Sequence, residues 1–150
     1  MTEQRIVSVQ REIAADPTAI FDLLADPAKH QLFDGSETVV SGHPSNPDRL
    51  SLGAKFGMSM RMGLPYRITN EVVEFDVDRA IAWRHFGHHV WRYELEPTAD
   101  GKTLVTESFN WGTSRFPPVL YEWAGYPKKH VANMTATLER LAAVVETASN

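Results

Sequence analysis

The stretch PKKHVANMTATLERLAAVVETASN, residues 127–150, decides the fold of this chain. Apolar side chains recur along it at spacings of three, four, three and four residues, at Val131, Met134, Leu138, Leu141 and Val145. On a helix of about 3.6 residues per turn these positions form one apolar stripe, so the spacing predicts a long amphipathic helix. Such a helix needs an apolar surface to cover, and the rest of the chain must supply it.

The part of the chain between Ser36 and Trp111 reads as short alternating strands rich in aromatic residues. The predicted strands are 37–41, 55–61, 66–75, 80–85, 89–96 and 103–111, and an earlier strand is predicted at 5–13. Turn residues such as Gly, Pro, Asp and Asn separate them. Because most of the connections are short, the strands are expected to form an antiparallel sheet.

Two Asp-Pro pairs follow the first predicted strand. Asp16-Pro17 offers a helix N-cap followed by proline at the first helical position, which predicts a helix of about two turns. Asp26-Pro27 predicts a second turn or short helix that ends near Phe33. The expected order is therefore a strand, two short helices, an antiparallel run of strands and one long helix.

Composition narrows the class of protein. At 150 residues, with 23% charged and 10% aromatic residues, the chain fits one folded domain over residues 1–150. The absence of cysteine excludes disulfides and a cysteine nucleophile, and it is typical of a cytoplasmic protein. A net charge of −4 without a basic cluster argues against a nucleic acid partner. No apolar run approaches the ~20 residues of a membrane span, and the amino terminus is unlike a signal peptide, so no membrane insertion is expected.

Several segments together resemble a known superfamily. They are REIAADPTAIFDLLADPAKHQLFDGS (11–36), VVEFDVDRAIAWRHFG (72–87), WRYELEPTADGKTLVTESFNW (91–111) and the final helix. In this order they resemble the START-like (SRPBCC) superfamily, in particular its polyketide cyclase/dehydrase and lipid-transport branch. The resemblance implies an α+β helix-grip fold, with a curved antiparallel sheet of about seven strands wrapped around the long C-terminal helix and two short helices after the first strand. It also implies a deep apolar cavity under that helix, but no shared catalytic motif.

Strand alternation indicates which side chains would face such a cavity. Phe56, Met58 and Met60 share one face of their strand, and flexible thioethers suit a pocket that adapts to several apolar ligands, although ordinary core filling is the alternative. The candidate ligand-binding residues are Phe56, Met58, Met60, Tyr66, Trp83, His85, Trp91, Tyr93, Glu107, Phe109, Trp111, Trp123, Tyr126, His130 and Met134.

Glu107 is the odd residue among these candidates because it places a carboxylate on an aromatic face. Burial would raise its pKa unless a cation or a hydrogen-bond donor compensates. It could orient a polar group of a ligand or act as a general acid or base. The alternatives are a structural ion pair and a solvent-facing position after a shift in strand register.

Two further features concern histidine and glycine. His85, His88 and His89 could in principle bind zinc, but the adjacent pair points to opposite faces of a strand, so the pattern favours a polar hairpin end without a metal. The break at Gly125 predicts a short helix at 118–124 before the long one, and this break could flex to admit a ligand or be a fixed kink. No cofactor-binding motif is present.

Three functions from different classes follow from these features. The first is binding of a small hydrophobic or aromatic molecule of the lipid, polyketide or isoprenoid class. The second is a polyketide cyclase or dehydratase that uses His85, Tyr93 and Glu107 as acid/base groups. The third is a protein-interaction or chaperone-like module. An exposed edge at the first or second strand leaves room for a homodimer.

Overall fold

Seven antiparallel strands form one sheet in the computed structural model, which describes residues 5–35, 39–42, 45–62, 64–84, 89–112 and 125–148. The strands follow the order β1-β7-β6-β5-β4-β3-β2, so the first strand pairs with the last. Their bounds are β1 Ile6–Ile13, β2 Val39–Gly42, β3 Lys55–Met62, β4 Leu64–Asp76, β5 Ala80–Arg84, β6 Val90–Pro97 and β7 Thr103–Asn110.

The helices complete the helix-grip arrangement. Helix α1 spans Pro17–Leu24, a 3₁₀ turn spans Pro27–Lys29 and leads into α2 at His30–Phe33, and the long helix α3 spans Tyr126–Ala148. The predicted α+β helix-grip fold is therefore confirmed, with the two short helical segments after the first strand and about seven strands. The predicted short helix at 118–124 lies outside the described residues.

Strand β4 begins earlier than the sequence predicts. Gly63-Leu64-Pro65 is predicted to break the chain, but Leu64 already pairs with Met62 and Pro65 with Arg61. Proline lacks the N–H that a second neighbouring strand would need. The described pairing of β4 with β5 starts only at Glu71, so proline is compatible with this end of the strand.

Helix α3 buries most of the predicted stripe against β1, β7 and α2. Met134, Leu138, Leu141 and Val145 are buried, as the spacing predicts. Val131 is different, since 36% of it is exposed, and the prediction that it belongs to the buried face was wrong. It lies at the margin of the stripe near the amino end of α3, and Ala142 on a later turn is buried instead.

Gly35 fixes the end of α2 against α3. Its N–H donates to Thr137 Oγ1 at 2.8 Å, and Arg140 Nη1 donates to the carbonyl oxygen of Asp34 at 2.7 Å. A Cβ atom on Gly35 would meet the carbonyl oxygen of Asn133 and would lie 2.5 Å from the backbone nitrogen of Thr137. Only glycine allows the two backbones to approach this closely.

We predict that Gly35→Ala lowers the free energy of unfolding by about 1–3 kcal/mol, because backbone atoms of α3 cannot move aside as a flexible side chain would. Thermal and urea unfolding would measure the loss. Gly112→Ala is the matched control, since its Cβ would meet side-chain atoms rather than backbone, the Oδ1 of Asn110 at 3.2 Å and the Cβ of Arg5 at 3.6 Å. Equal stability of the two variants would contradict the close packing described for Gly35.

Candidate functional site

Strand β7 carries the central polar residue of the inner face of the sheet. Along β7 the buried residues alternate regularly, at Thr103, Val105, Glu107 and Phe109. This alternation turns every second side chain away from solvent. Glu107 is only 3% exposed and lies opposite Tyr93 on β6 and Val9 on β1.

Glu107 and Tyr93 form a buried hydrogen-bonded pair. The Tyr93 hydroxyl donates to Glu107 Oε1 at 2.8 Å, whereas Oε2 is buried and has no hydrogen-bond partner among the described residues. The carboxyl group therefore does not face solvent, and it forms no ion pair within the described part of the chain. Both alternatives considered for Glu107 from the sequence are thus ruled out there.

Burial sets the protonation of this pair. It raises the pKa of Glu107 from its usual 4.5 to about 8, although the hydrogen bond from Tyr93 acts in the opposite direction and the charge of Asp34 adds to the rise. Burial, and then the negative charge on Glu107, raises the pKa of Tyr93 well above 10. At neutral pH the carboxyl group is mostly protonated, so Glu107 can donate as well as accept a hydrogen bond.

A first group of rings lies on one side of Glu107. The Trp83 ring lies 5.6 Å from Tyr93, 5.5 Å from Phe56 and 5.0 Å from His30, with which it stacks. Phe33 on α2 lies 5.4 Å from His30. We call these five residues the Trp83 ring group. They give an aromatic wall that runs from α2 across β3 and β5 to β6.

His30 is a member of this group that the sequence analysis missed. It is 5% exposed, and its Nε2 lies 2.8 Å from the carbonyl oxygen of Leu24, to which it donates. Burial lowers the pKa of His30 to about 4, although the Leu24 hydrogen bond, Asp26 and Asp34 each act to raise it. The ring is therefore neutral at physiological pH. A local signal existed, since His30 and Phe33 are three residues apart and share a helical face.

A second group of rings surrounds Phe109, which lies two residues after Glu107 on β7. The Phe109 ring lies 4.6 Å from Trp91, 4.4 Å from His130 and 5.9 Å from Trp111. Met134 of α3 packs in the same cluster. Burial lowers the pKa of His130 to about 4, and the charge of Lys129 adds to this. We call these five residues the Phe109 ring group, and they join the first turns of α3 to β6 and β7.

Most of the predicted site residues that the structure describes belong to one of these groups. Phe56, Trp83 and Tyr93 are in the first group, and Trp91, Phe109, Trp111, His130 and Met134 are in the second. Met58 is buried on β3 beside the first. The side chains of Met60, Tyr66 and Tyr126, and all of His85, His88 and Trp123, lie outside what the structure describes.

A separate cleft of about 650 Å³ opens where α1 meets the β4–β5 turn and β6. Its walls are charged, and Arg92 Nε donates there to Glu74 Oε1 at 2.7 Å. Such a lining does not suit an apolar ligand. The described residues also contain no group of three or more His, Asp or Glu side chains that could hold a metal, and none of the helices described is long and apolar enough to cross a membrane.

Comparison with known proteins places the chain among relatives of the same architecture. A family model described as polyketide cyclase/dehydrase and lipid transport matches residues 4–146. The uncharacterised protein Rv0088 of Mycobacterium tuberculosis strain H37Rv is 37% identical over 139 residues, which are 90% of this chain and 62% of that protein. The chain thus spans less than two thirds of the length of this curated relative.

Solved structures share the fold at low sequence identity. Protein NE0264 of Nitrosomonas europaea matches with a TM-score of 0.76 at 14% identity, over 99% of both chains. Protein Ms6760 of Mycobacterium smegmatis gives a TM-score of 0.74 at 15% identity, over 98% of this chain and 94% of that one. An AHSA1-like protein of Aeromonas hydrophila gives 0.65 at 15% identity, over 96% and 94%. At these identities the likeness concerns the fold alone.

The raised pKa of Glu107 predicts an unusual pH dependence of stability. The unfolded chain loses the proton near pH 4.5 and the folded chain only near pH 8, so the contribution of this group to stability is complete below about pH 4.5 and falls as the pH rises to about 8. Between pH 6.5 and 8, wild type should lose about 1–2 kcal/mol of stability relative to Glu107→Gln.

Urea unfolding of both proteins at a series of pH values measures this difference. Because His30 and His130 are present in both proteins, their own titration cancels in the comparison. Parallel curves for wild type and Glu107→Gln across this window would mean that Glu107 is ionised in the folded protein.

Proposed function

Because the chain belongs to the polyketide cyclase/dehydrase and lipid transport family, we propose that it binds a small hydrophobic or aromatic molecule between the sheet and α3. The ligand would belong to the lipid, polyketide or isoprenoid class. The observation that carries the proposal is the buried Oε2 atom of Glu107, which has no hydrogen-bond partner among the described residues and lies on the same inner face as the Trp83 and Phe109 ring groups.

The lack of a described partner for Oε2 lowers the stability of the unliganded protein. A buried polar atom without a hydrogen-bond partner costs about 1–3 kcal/mol, so such atoms are rare in folded proteins. A ligand that supplies the missing partner recovers this loss on binding. The hydrogen bond that the ligand forms with Oε2 therefore increases its affinity and fixes its orientation.

The protonation of the pair selects the kind of polar group. A mostly neutral carboxyl group can donate to a carbonyl or hydroxyl oxygen, whereas no described cation stands beside it to hold a carboxylate. The rings of both groups favour flat or apolar parts of the ligand. Met58 and Met134 adjust their shape more easily than branched side chains. We therefore infer a neutral ligand with at least one carbonyl or hydroxyl group.

We propose that the ligand enters at the start of α3, where the break at Gly125 is predicted to flex. Gly125 has a φ of 76°, a left-handed conformation that glycine adopts without strain, and α3 begins at the next residue. A hinge here would let His130 and Met134 move with the first turns of the helix. Trp123 and Tyr126, which are predicted from the sequence as ligand-binding residues, are proposed to contact the ligand as it enters.

Catalysis of cyclisation or dehydration is a second candidate, favoured by the pKa of Glu107. A group with a pKa of about 8 can both give and take a proton near neutral pH. Tyr93 would stay protonated and hold the carboxyl group in place. His85, the third acid/base residue proposed from the sequence, lies outside the described residues, and its role stays a prediction.

A matched pair of probes tests the binding proposal: an uncharged aromatic ketone such as acetonaphthone, and ethylnaphthalene, which has the same shape without the oxygen. We expect wild type to bind the ketone roughly fivefold to tenfold more tightly, the value of one hydrogen bond. The double variant Tyr93→Phe/Glu107→Leu should bind both probes about equally, because it removes the polar pair without leaving a hydroxyl unpaired. Quenching of tryptophan fluorescence gives the affinities.

Glu96→Gln is the control, since this exposed residue of β6 lies outside both ring groups and should keep the preference for the ketone. Failure of wild type to bind either probe would refute the binding proposal, and an unchanged preference in the double variant would refute the role of Glu107. Turnover of a poly-β-ketone substrate that falls at least a hundredfold in Glu107→Gln would establish the second candidate.

A further inference from the structure

Asn70 is another buried polar side chain on the inner face of the sheet. It is 4% exposed on β4, between the exposed Thr69 and the partly exposed Glu71. It alternates with the buried Val72 and lies directly opposite Phe56 of β3 in the strand register. Its side chain therefore faces the same side of the sheet as the Trp83 ring group.

The carboxamide of Asn70 resembles the carboxyl group of Glu107 in one respect. Its Oδ1 atom is buried and has no hydrogen-bond partner among the described residues. Either orientation of the amide presents a hydrogen-bonding atom at this position, so exchanging its oxygen and nitrogen would not remove the need for a partner. Buried polar atoms of this kind are usually satisfied, and this one calls for a partner from outside the described residues.

A continuous row of rings lies between Glu107 and Asn70. Tyr93, which holds Glu107, lies 5.6 Å from the ring of Trp83, and Trp83 lies 5.5 Å from that of Phe56, the residue opposite Asn70. The inner face therefore has a polar atom at each end and an aromatic surface between them.

The strand register gives the length of this row. Three strand spacings separate β7 from β4. Glu107 pairs with Tyr93 and Tyr93 pairs with Ile81, so these three residues are level across the sheet. Trp83 lies two residues beyond Ile81 and pairs with Val72. Asn70 lies two residues beyond Val72 in the same direction, which makes an offset of four residues in all. At about 4.8 Å per strand and 3.4 Å per residue, the backbone positions are about 20 Å apart along the sheet, and less across its curve.

We propose that Asn70 is a second polar anchor and that the ligand is an elongated molecule with two polar ends. One end carries a carbonyl or hydroxyl for Glu107, the other carries a hydroxyl for Asn70, and the part between is apolar and lies along Tyr93, Trp83 and Phe56. This inference rests on the proposed function and adds the substrate class to it. Molecules with a polar group at one end only would use half of the site.

Primary alcohols and α,ω-alkanediols of graded chain length test the proposal as matched pairs. We expect wild type to bind the diol of the best length about tenfold more tightly than the alcohol of the same length, and to lose this preference for shorter and longer diols. Asn70→Leu should bind diol and alcohol equally, while its affinity for the alcohol is kept. Calorimetric titration measures all of these affinities.

The controls separate this inference from the proposed function. Thr69→Val, on the outward side of the same strand, should keep the preference for the diol. Asn70→Leu should be at least as heat-stable as wild type, because it removes an unpaired buried polar group; a lower Tm would assign Asn70 a structural role and overturn the inference. Tight binding of alcohols without preference for any diol would overturn the second anchor alone, whereas no binding of either compound would refute the proposed function with it.

Discussion

The burial of one face of α3 is the constraint on which the rest of the structure depends. Leu138, Leu141 and Val145 are almost fully removed from water against β1, β7 and α2. Burial of side chains of this size contributes up to about 1.5–3 kcal/mol each, so a few of them outweigh most other local preferences in the chain. Strand β1 pairs with β7, so the first and last strands lie side by side, and the helix packs against both.

The same helix face also fixes the short helices. Thr137 accepts a hydrogen bond from Gly35, and Arg140 donates to the carbonyl oxygen of Asp34. These contacts set the end of α2, and α2 in turn places His30 against Trp83. The aromatic wall of the site is therefore held by the packing of α3, although α3 itself contributes only its first turns to the Phe109 ring group.

The inner face of the sheet combines a stable framework with groups that reduce stability. Glu107 and Asn70 each have a buried polar atom without a partner in the part of the chain that the structure describes, while the residues around them are mostly apolar. A chain selected only for folding would have an apolar residue such as Leu at these positions, or a hydrogen-bonding partner for each polar atom, because both arrangements cost less free energy than an unpaired buried polar atom. Departures from local consistency of this kind tend to occur at functional sites, where a ligand completes the structure.

Much of the fold could be predicted from the sequence because it depends on local periodicity. The spacing along 127–150 determined the helix and most of its buried face, and alternation along β7 determined that Glu107 turns inward with Val105 and Phe109. The Asp-Pro pairs determined where the short helices begin. Tertiary structure alone decided what these side chains meet: that Glu107 receives a hydrogen bond from Tyr93, that His30 stacks on Trp83, and that Val131 stays partly exposed. The physical reason is that burial and pairing depend on residues far apart in the chain, whose contacts are fixed only once the sheet closes around α3.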